Sequence, residues 1–257
     1  MENKEIENTN NEPTIIDIPS RPEESDYIIC YVDMLGSKAL ISQTELFDTI
    51  YDAFTFAVNI ASKLKIFEQL EFKVFSDNIL IAKKVENPID KDEVYRAYNK
   101  MVIFLKHFLS SLLTKGLLFR GGITLNKLAI NEIMVWGDGL VEVVKIEEQV
   151  CIYPRIVMSS KLLEVLSKYE LEKERFEEQF SCLYDTDGCV FIDYIDYYEL
   201  PTALKTLKKS YKIITQKIEN ESDLKILQKY NWHKNYLNRA KDIYNEYYDF
   251  EQLEWDE

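Results

Sequence analysis

Histidine occurs only twice in this chain of 257 residues, as His107 and His233, and both fall in segments with helical spacing. Histidine acid–base chemistry and His-rich zinc sites are therefore poor candidates for its function, and the two read as structural or surface residues. Cysteine is scarce as well. Cys30, Cys151, Cys182 and Cys189 show no CxxC spacing, and Cys30 and Cys189 lie in apolar, strand-like runs. They read as reduced, mostly buried thiols of a cytoplasmic protein and not as a disulfide framework. No apolar run approaches the ~20 residues of a membrane helix, and the opening Met1-Glu-Asn-Lys-Glu-Ile-Glu is polar and acidic, unlike a secretory signal. Positive charge is in deficit too: 31 Lys and Arg face 45 Asp and Glu, for a net charge of −14, and no basic stripe forms. That argues against a sequence-independent nucleic-acid surface, which must neutralise many phosphates. A small anionic substrate would need metal ions to offset the repulsion.

The chain has enough apolar residues (46%) to bury a proper core, as one large domain or a domain with an extension. Residues 1–25 hold Pro13, Pro19 and Pro22 among Glu, Asn and Ser and read as a mobile or loosely docked arm. Strand signals follow at 27–33, and helical spacing from Lys38 to about Lys65 (Leu46, Ile50, Phe54, Val58, Ala61). The alternating stretches 70–76 and 78–84 predict a hairpin about Ser76-Asp77-Asn78. The stripe Tyr95, Tyr98, Met101, Leu105, Phe108, Leu112 predicts a helix over 90–113, ended by Gly116. Two strands are expected near 117–124 and 127–136, then a helix from Gly137-Asp-Gly139 to Glu148. A strand Tyr153–Met158, a helix Ser159–Tyr169 and strands at 180–185 and 189–195 follow. After Pro201, residues 201–219 and 222–248 have helical spacing and read as a helical hairpin added to an α+β core.

Chemistry concentrates in two acids. The apolar run Tyr27-Ile-Ile-Cys-Tyr-Val ends in Asp33, followed by Met34-Leu35-Gly36-Ser37, and the hairpin carries Asp77. Taken alone Asp77 reads as a turn former. A carboxylate straight after six mainly apolar positions is less usual. A strand that brings one acid to a Gly-containing turn, with a hairpin that brings another, is how a protein holds a divalent metal beside a nucleoside triphosphate, because Mg²⁺ takes one or two carboxylates and keeps room for water and phosphate oxygens.

The order strand-Asp, helices, hairpin-Asp, Arg-Gly-Gly-Ile strand, Trp-Gly turn, helix, strand resembles the class III adenylate/guanylate cyclase catalytic domain over roughly residues 26–197. Asp33-Met-Leu-Gly36-Ser37 matches that family's Asp-Ile-x-Gly-Phe. Lys73-Val-Phe-Ser76-Asp77 matches its Lys-x-x-Gly-Asp, and Arg120-Gly-Gly122-Ile123 its Arg-x-Gly-Ile. Trp136-Gly137-Asp-Gly-Leu140-Val141-Glu-Val-Val-Lys145 matches part of its Trp-Gly-x-x-Val-Asn-x-x-x-Arg. The resemblance implies an α+β fold with a ferredoxin-like, palm-type core, a mixed, mainly antiparallel sheet and helices. The C-terminal helical hairpin follows, giving an arm at 1–25, a cyclase-like domain at 26–197 and an extension at 198–257. It implies two Mg²⁺ or Mn²⁺ ions on Asp33, Asp77 and the Met34 carbonyl. Phosphate would be held by the backbone of Leu35, Gly36 and Ser37, a base by Lys73, and Lys145 and Arg120 would carry catalytic charge. Arg155, at a strand start, is a further candidate for phosphate. The family's site lies between two chains, so a homodimer is implied.

The sequence departs from the family's pattern where the substrate is read. Val141 stands for the ribose-contacting asparagine and Lys145 for the transition-state arginine, which loses the planar fork. Met134 replaces the acid that partners the base-reading lysine. The purine pattern is thus broken, and the pyrimidine cyclases of bacterial antiphage systems are the subfamily for comparison. Two readings stay open: a nucleotide cyclase, and a catalytically silent cyclase-fold sensor of a nucleotide or protein. A palm-type polymerase or dinucleotide cyclase ranks last, because Ser76-Asp77-Asn78 has a single acid.

Overall fold

Strand β1 (Ser25–Leu35) runs through the middle of the sheet, and its composition follows from that place. A central strand is covered on both faces and reads as a nearly continuous apolar run. Ile28, Cys30, Val32 and Met34 enter the larger core, whereas Tyr27 and Ile29 enter a smaller one on the other face. The computed structural model describes residues 19–35, 44–63, 70–75, 77–195, 200–248 and 253–255. Of the N-terminal arm, only its last residues are described; there Ser20 accepts a hydrogen bond from Asn131 Nδ2 (3.0 Å).

The remaining strands are β2 (Glu71–Phe75), β3 (Asn78–Val85), β4 (Leu118–Ile130), β5 (Val135–Trp136), β6 (Ile156–Met158), β7 (Cys182–Tyr184) and β8 (Val190–Ile192). They form one sheet in the order β2-β3-β1-β4-β6-β8-β7, with β5 paired to β4. All described pairings are antiparallel except β4 with β6. The α+β class, the mixed and mainly antiparallel sheet and the C-terminal helical hairpin are those expected.

Helix α1 (Thr44–Lys63) presents Ala53, Ala57 and Ala61, all buried, at the i, i+4, i+8 spacing that keeps small side chains on one face. Helix α2 (Lys91–Leu113) starts at Asp90, whose carboxylate accepts from the backbone N–H of Asp92 and Glu93, and buries Tyr98, Met101, Leu105, Phe108 and Leu112 as the periodicity predicts. Helix α3 (Asp138–Lys145) crosses from β4 to β6 and continues into one π-helical turn, Ile146–Val150. Helix α4 (Ser160–Ser167) is capped by Ser159, and α5 (Lys173–Phe180) follows.

Two details differ from expectation. Residues 118–130 form a single strand, because Asn126 and Lys127 stay paired with Tyr27 and Asp26, and Lys127 Nζ adds an ion pair to Asp26 (2.6 Å). The chain then turns at Asn131, whose side-chain oxygen accepts from the N–H of Ile133 and Met134. Helix α5 gave no sequence signal because only Phe176 and Phe180 are buried on it, too few for a stripe.

The last helices, α6 (Leu200–Asn220) and α7 (Leu224–Tyr247), pack directly into the larger core. Ala203, Leu207, Ile214, Tyr236, Leu237, Ala240 and Tyr244 are buried with the residues of β1 and α2. His233 is buried with them, and burial pushes its imidazole down to about 3, so it is neutral. His107 is also buried, its ring edge against Phe56.

Candidate functional site

The two acids singled out in the sequence converge where β1 ends. In register, Asp33 lies between Asn78 on β3 and Arg120 on β4, so the three side chains share a face. The backbone N–H of Met34 donates to the carbonyl of Asp77 (3.1 Å), which fixes the start of β3 beside the end of β1. Asn78 Nδ2 in turn donates to Asp77 Oδ1 (3.4 Å). The carboxyl of Asp33 is raised above its ordinary range, mainly by burial and further by the charge of Asp77, against the opposing pull of Arg120.

Arg120 is the cation of this group. Its Nε lies 3.2 Å from Asp33 Oδ2 and 2.6 Å from Glu147 Oε1. The contact with Glu147 is ionic by distance but misses hydrogen-bond alignment, which leaves Glu147 Oε1 without a hydrogen-bond donor. Glu147 comes from the π-helical turn after α3, and its side chain is 6% exposed. Burial raises its carboxyl, Arg120 lowers it, and Asp33 and Glu148 push it up again. Tyr31, two residues before Asp33, records the same field. Its phenol is pushed up to about 12, first by burial and then by Glu147, Asp33, Asp77 and Glu148. Glu147 was missed in the sequence because a helical reading to Glu148 gives no reason for an acid there to turn inward. The widened turn supplies it, and such π-bulges recur at functional sites. Gly122 makes room for that turn: a Cβ there would sit 2.9 Å from Ile146.

The other expected residues lie apart. Met34 buries its side chain in the larger core, and Leu35 is half-buried at the end of β1. Gly36 and Ser37 lie outside the described residues. Lys73, on β2, donates to the Glu132 carbonyl (2.7 Å), while Glu71 accepts from Tyr27 Oη (3.3 Å). Lys145, exposed at the end of α3, borders a shallow depression of about 370 Å³ with Asn126, Val141, Glu142 and Lys161. Neither lysine joins the acids within one chain. Arg155, the strand-start candidate for phosphate, lies in the interior. It is fully buried, ion-paired to Asp185 and Asp187, and its guanidinium lies over the rings of Tyr153 and Trp232.

For a divalent ion the donor chemistry fits. Asp33 and Asp77 offer hard carboxylate oxygens at a strand end, and a cation there would offset the repulsion that Asp77 adds to burial in raising Asp33. Among the described residues, no group of three or more His, Cys, Asp or Glu side chains closes around one point. A divalent ion placed there would have two carboxylates as side-chain ligands, with the remaining positions open to backbone, water or phosphate oxygens, as Mg²⁺ prefers.

No protein-family model matches this sequence, and no curated protein does. Solved structures of cyclase domains do match in fold. The adenylyl cyclase CyaB from P. aeruginosa is 14% identical, with 58% of this chain and 84% of that one covered and a TM-score of 0.43. The monomeric guanylyl cyclase domain of the RhoGC fusion protein from the aquatic fungus Blastocladiella emersonii is 11% identical, over 67% and 96%, with a TM-score of 0.45. A class III adenylyl cyclase-like ATP-binding protein from Pseudomonas aeruginosa is 12% identical, over 59% and 37%, with a TM-score of 0.42. The chain is thus similar to class III adenylyl and guanylyl cyclase domains, at low identity.

Proposed function

We propose that this protein is a metal-dependent nucleotide cyclase that converts a ribonucleoside triphosphate to a 3′,5′-cyclic nucleotide and pyrophosphate. The observation that carries the reading is the convergence of Asp33 and Asp77 at the end of β1, with Arg120 beside them. In this reaction the 3′-oxygen forms a bond to the α-phosphorus, the bond from that phosphorus to the β-phosphate bridging oxygen breaks, and the 3′-hydroxyl proton leaves to solvent. Two Mg²⁺ or Mn²⁺ ions, when bound, lower the hydroxyl pKa and offset charge on the leaving oxygens. Asp33, Asp77 and the Met34 carbonyl would hold the ions, and backbone N–H groups at 35–37 would hold the phosphates. Arg120 keeps Asp33 ionised and oriented.

Lys73 and Lys145 serve the site of a second copy in a homodimer. The exposed Phe75, Ile133, Met134, Trp136 and Val141 supply apolar surface for that contact. Met134 and Val141 also replace polar groups of the purine pattern, which favours a pyrimidine base. A cytoplasmic place is supported by four free thiols, of which Cys30, Cys151 and Cys182 are buried. A role of the product in antiphage signalling rests on the resemblance to pyrimidine cyclases.

The test incubates purified protein with each of the four triphosphates and Mg²⁺ or Mn²⁺ and detects cyclic product by mass. Product that is lost in Asp33→Ala and in Asp77→Ala supports the reading, and no product from any triphosphate counts against it. One observation favours a silent sensor instead: Asp33 already has its countercharge in Arg120, while Lys145 lacks the arginine fork. Triphosphate binding without turnover, in the dimer, is the result expected of that reading.

A further inference from the structure

At the β7 edge of the sheet, a cavity of about 390 Å³ lies between α5, β7 and the last turns of α7. Its size falls within the ~300–1,000 Å³ of small-molecule sites. Strands β4, β6 and β8 separate this edge from β1 and Asp33. Arg239 of α7 holds the walls together, donating to the Tyr184 carbonyl (2.8 Å) and pairing with Glu177 (2.8 Å). Tyr247 Oη adds a hydrogen bond to Glu178 Oε1 (3.4 Å). Among the described residues, the acids Glu174, Glu177, Glu178, Asp193 and Glu246 line the cavity. Arg239 answers Glu177, but the exposed Glu174, Glu178 and Glu246 have no ion pair among the described residues.

A lysine lies below this acidic rim. Lys106 also lines the cavity, is only 8% exposed, and makes no hydrogen bond or ion pair with any described residue. Its direction follows from α2, where Tyr98, Lys106 and Ser110 share one helix face. Tyr98 Oη donates to the Phe180 carbonyl (2.7 Å) and Ser110 Oγ to the Tyr194 carbonyl (2.8 Å). That face therefore meets residues 180–194, and Lys106 enters the cavity with Ser181 and Asp193. Asp193 is engaged elsewhere: its Oδ1 accepts from Tyr236 Oη (2.6 Å) and from the N–H of Ile195 (3.3 Å). A lysine this far from water is seldom left without a counter-charge. The cavity thus offers a buried cationic group that calls for an anion, under carboxylates that call for cations. No three of the described acids, cysteines or histidines converge on a point that could hold a metal ion, so the positive charge that suits them is spread over a molecule.

We propose that this cavity binds a basic α-amino acid, with its carboxylate on Lys106 and its side-chain ammonium or guanidinium among Glu174, Glu178 and Glu246. A ligand with one anionic and two cationic groups answers both signs of charge, and its net positive charge matches the excess of acids. A polyamine would leave Lys106 unanswered and meet its repulsion. A dicarboxylate would meet that of the rim. The site is remote from Asp33 and Asp77 and holds whether or not those acids bind a nucleotide.

The experiment titrates the full chain by calorimetry with L-arginine and L-lysine, with their decarboxylated counterparts agmatine and cadaverine, and with L-norleucine, which lacks the distal charge. Arginine or lysine is expected to bind at least about 10-fold more tightly than its decarboxylated counterpart and than norleucine. Lys106→Met keeps the apolar stem and should weaken the amino acid roughly 10- to 100-fold, the size of a lost charge-assisted contact. It should leave agmatine or cadaverine within about threefold, so that the preference for the carboxylate disappears. Glu174→Gln combined with Glu246→Gln should instead bring arginine and lysine down toward norleucine. The comparison of ligands on the wild-type protein needs no variant to fold. Wild-type protein that binds neither arginine nor lysine at millimolar concentration overturns the proposal, as does equal affinity for the decarboxylated counterparts. So does a preference for the carboxylate that survives Lys106→Met.

Discussion

Replacing Arg120 by alanine isolates the electrostatics of the acid group. The guanidinium bridges Asp33 and Glu147, whose side chains are 19% and 6% exposed. Removing one partner of a fully buried ion pair costs ~3–5 kcal/mol, whereas exposed pairs contribute less than ~1 kcal/mol. This group lies between those limits, and each stranded acid can escape by taking up a proton. We therefore expect a loss of about 2 kcal/mol at pH 7, or about 4–8 °C in melting temperature for a chain of this size. The pH dependence gives the sharper test. Asp33 and Glu147 have folded-state pKa values raised above those of the unfolded chain. The folded state therefore binds protons more tightly, and this contribution is fully present below about pH 4. It is lost as pH rises through the folded values. Without Arg120 both acids rise further, so the variant should lose stability more steeply than wild type between about pH 4 and pH 7. Urea denaturation with an unchanged m-value measures this at pH 5 and pH 7, and Mn²⁺ should restore part of the loss at pH 7 by replacing the missing cation. An Arg120→Ala protein as stable as wild type at pH 7, or equally weakened at both pH values, would refute the reasoning.

Four further variants probe other parts of the fold. Arg155→Met strands Asp185 beside α7 and frees the exposed Asp187, and should cost about 3 kcal/mol in urea denaturation. The same variant should return the Asp187 carboxyl, now held at about 2 chiefly by its hydrogen bond to Arg155, toward its ordinary value in an NMR titration. The stability that Asp187 contributes is present above about pH 4 and disappears as pH falls toward its folded value. Gly121→Ala would place a Cβ 2.1 Å from the carbonyl oxygen of Tyr31 and should abolish soluble expression or cost more than about 4 kcal/mol. Gly188→Ala, with open space but a φ of +85°, should cost only about 1 kcal/mol. His233→Leu should flatten the pH–stability profile on the acid side. The buried imidazole supports folding above about pH 6.5, and that support fades as pH falls toward its folded value of about 3, at up to about 1.4 kcal/mol per pH unit.

The elements that announce themselves by period were legible in advance. The stripe from Tyr95 to Leu112 became α2, the alternation on either side of Asp77 became β2 and β3, and the spacing after Pro201 became the hairpin of α6 and α7. Element ends were less legible, since the strands predicted at 117–124 and 127–136 merged through the pairing of Asn126 and Lys127 with β1. For the candidate site, Asp33 stood out in the sequence as an acid that ends an apolar run and Asp77 as the acid of a hairpin turn, whereas Glu147 depends on a π-helical turn with no pattern of its own. Arg155 was misread for a related reason. Its two aspartates lie 30 and 32 positions away, and only the β7–β8 turn brings them beneath it.

The packing of Tyr236, Leu237, Ala240 and Tyr244 among Ile28, Val32 and Phe108 ties β1 to α7, about 200 residues apart. Contacts of such long sequence separation form slowly and late. During synthesis the central strand leaves the ribosome long before the helix that closes over its layer, so apolar side chains such as Phe191 and Tyr194 stay uncovered until α7 has been made. A nonsense codon or protease cut near Leu200 therefore yields a sticky, aggregation-prone fragment instead of a smaller folded domain.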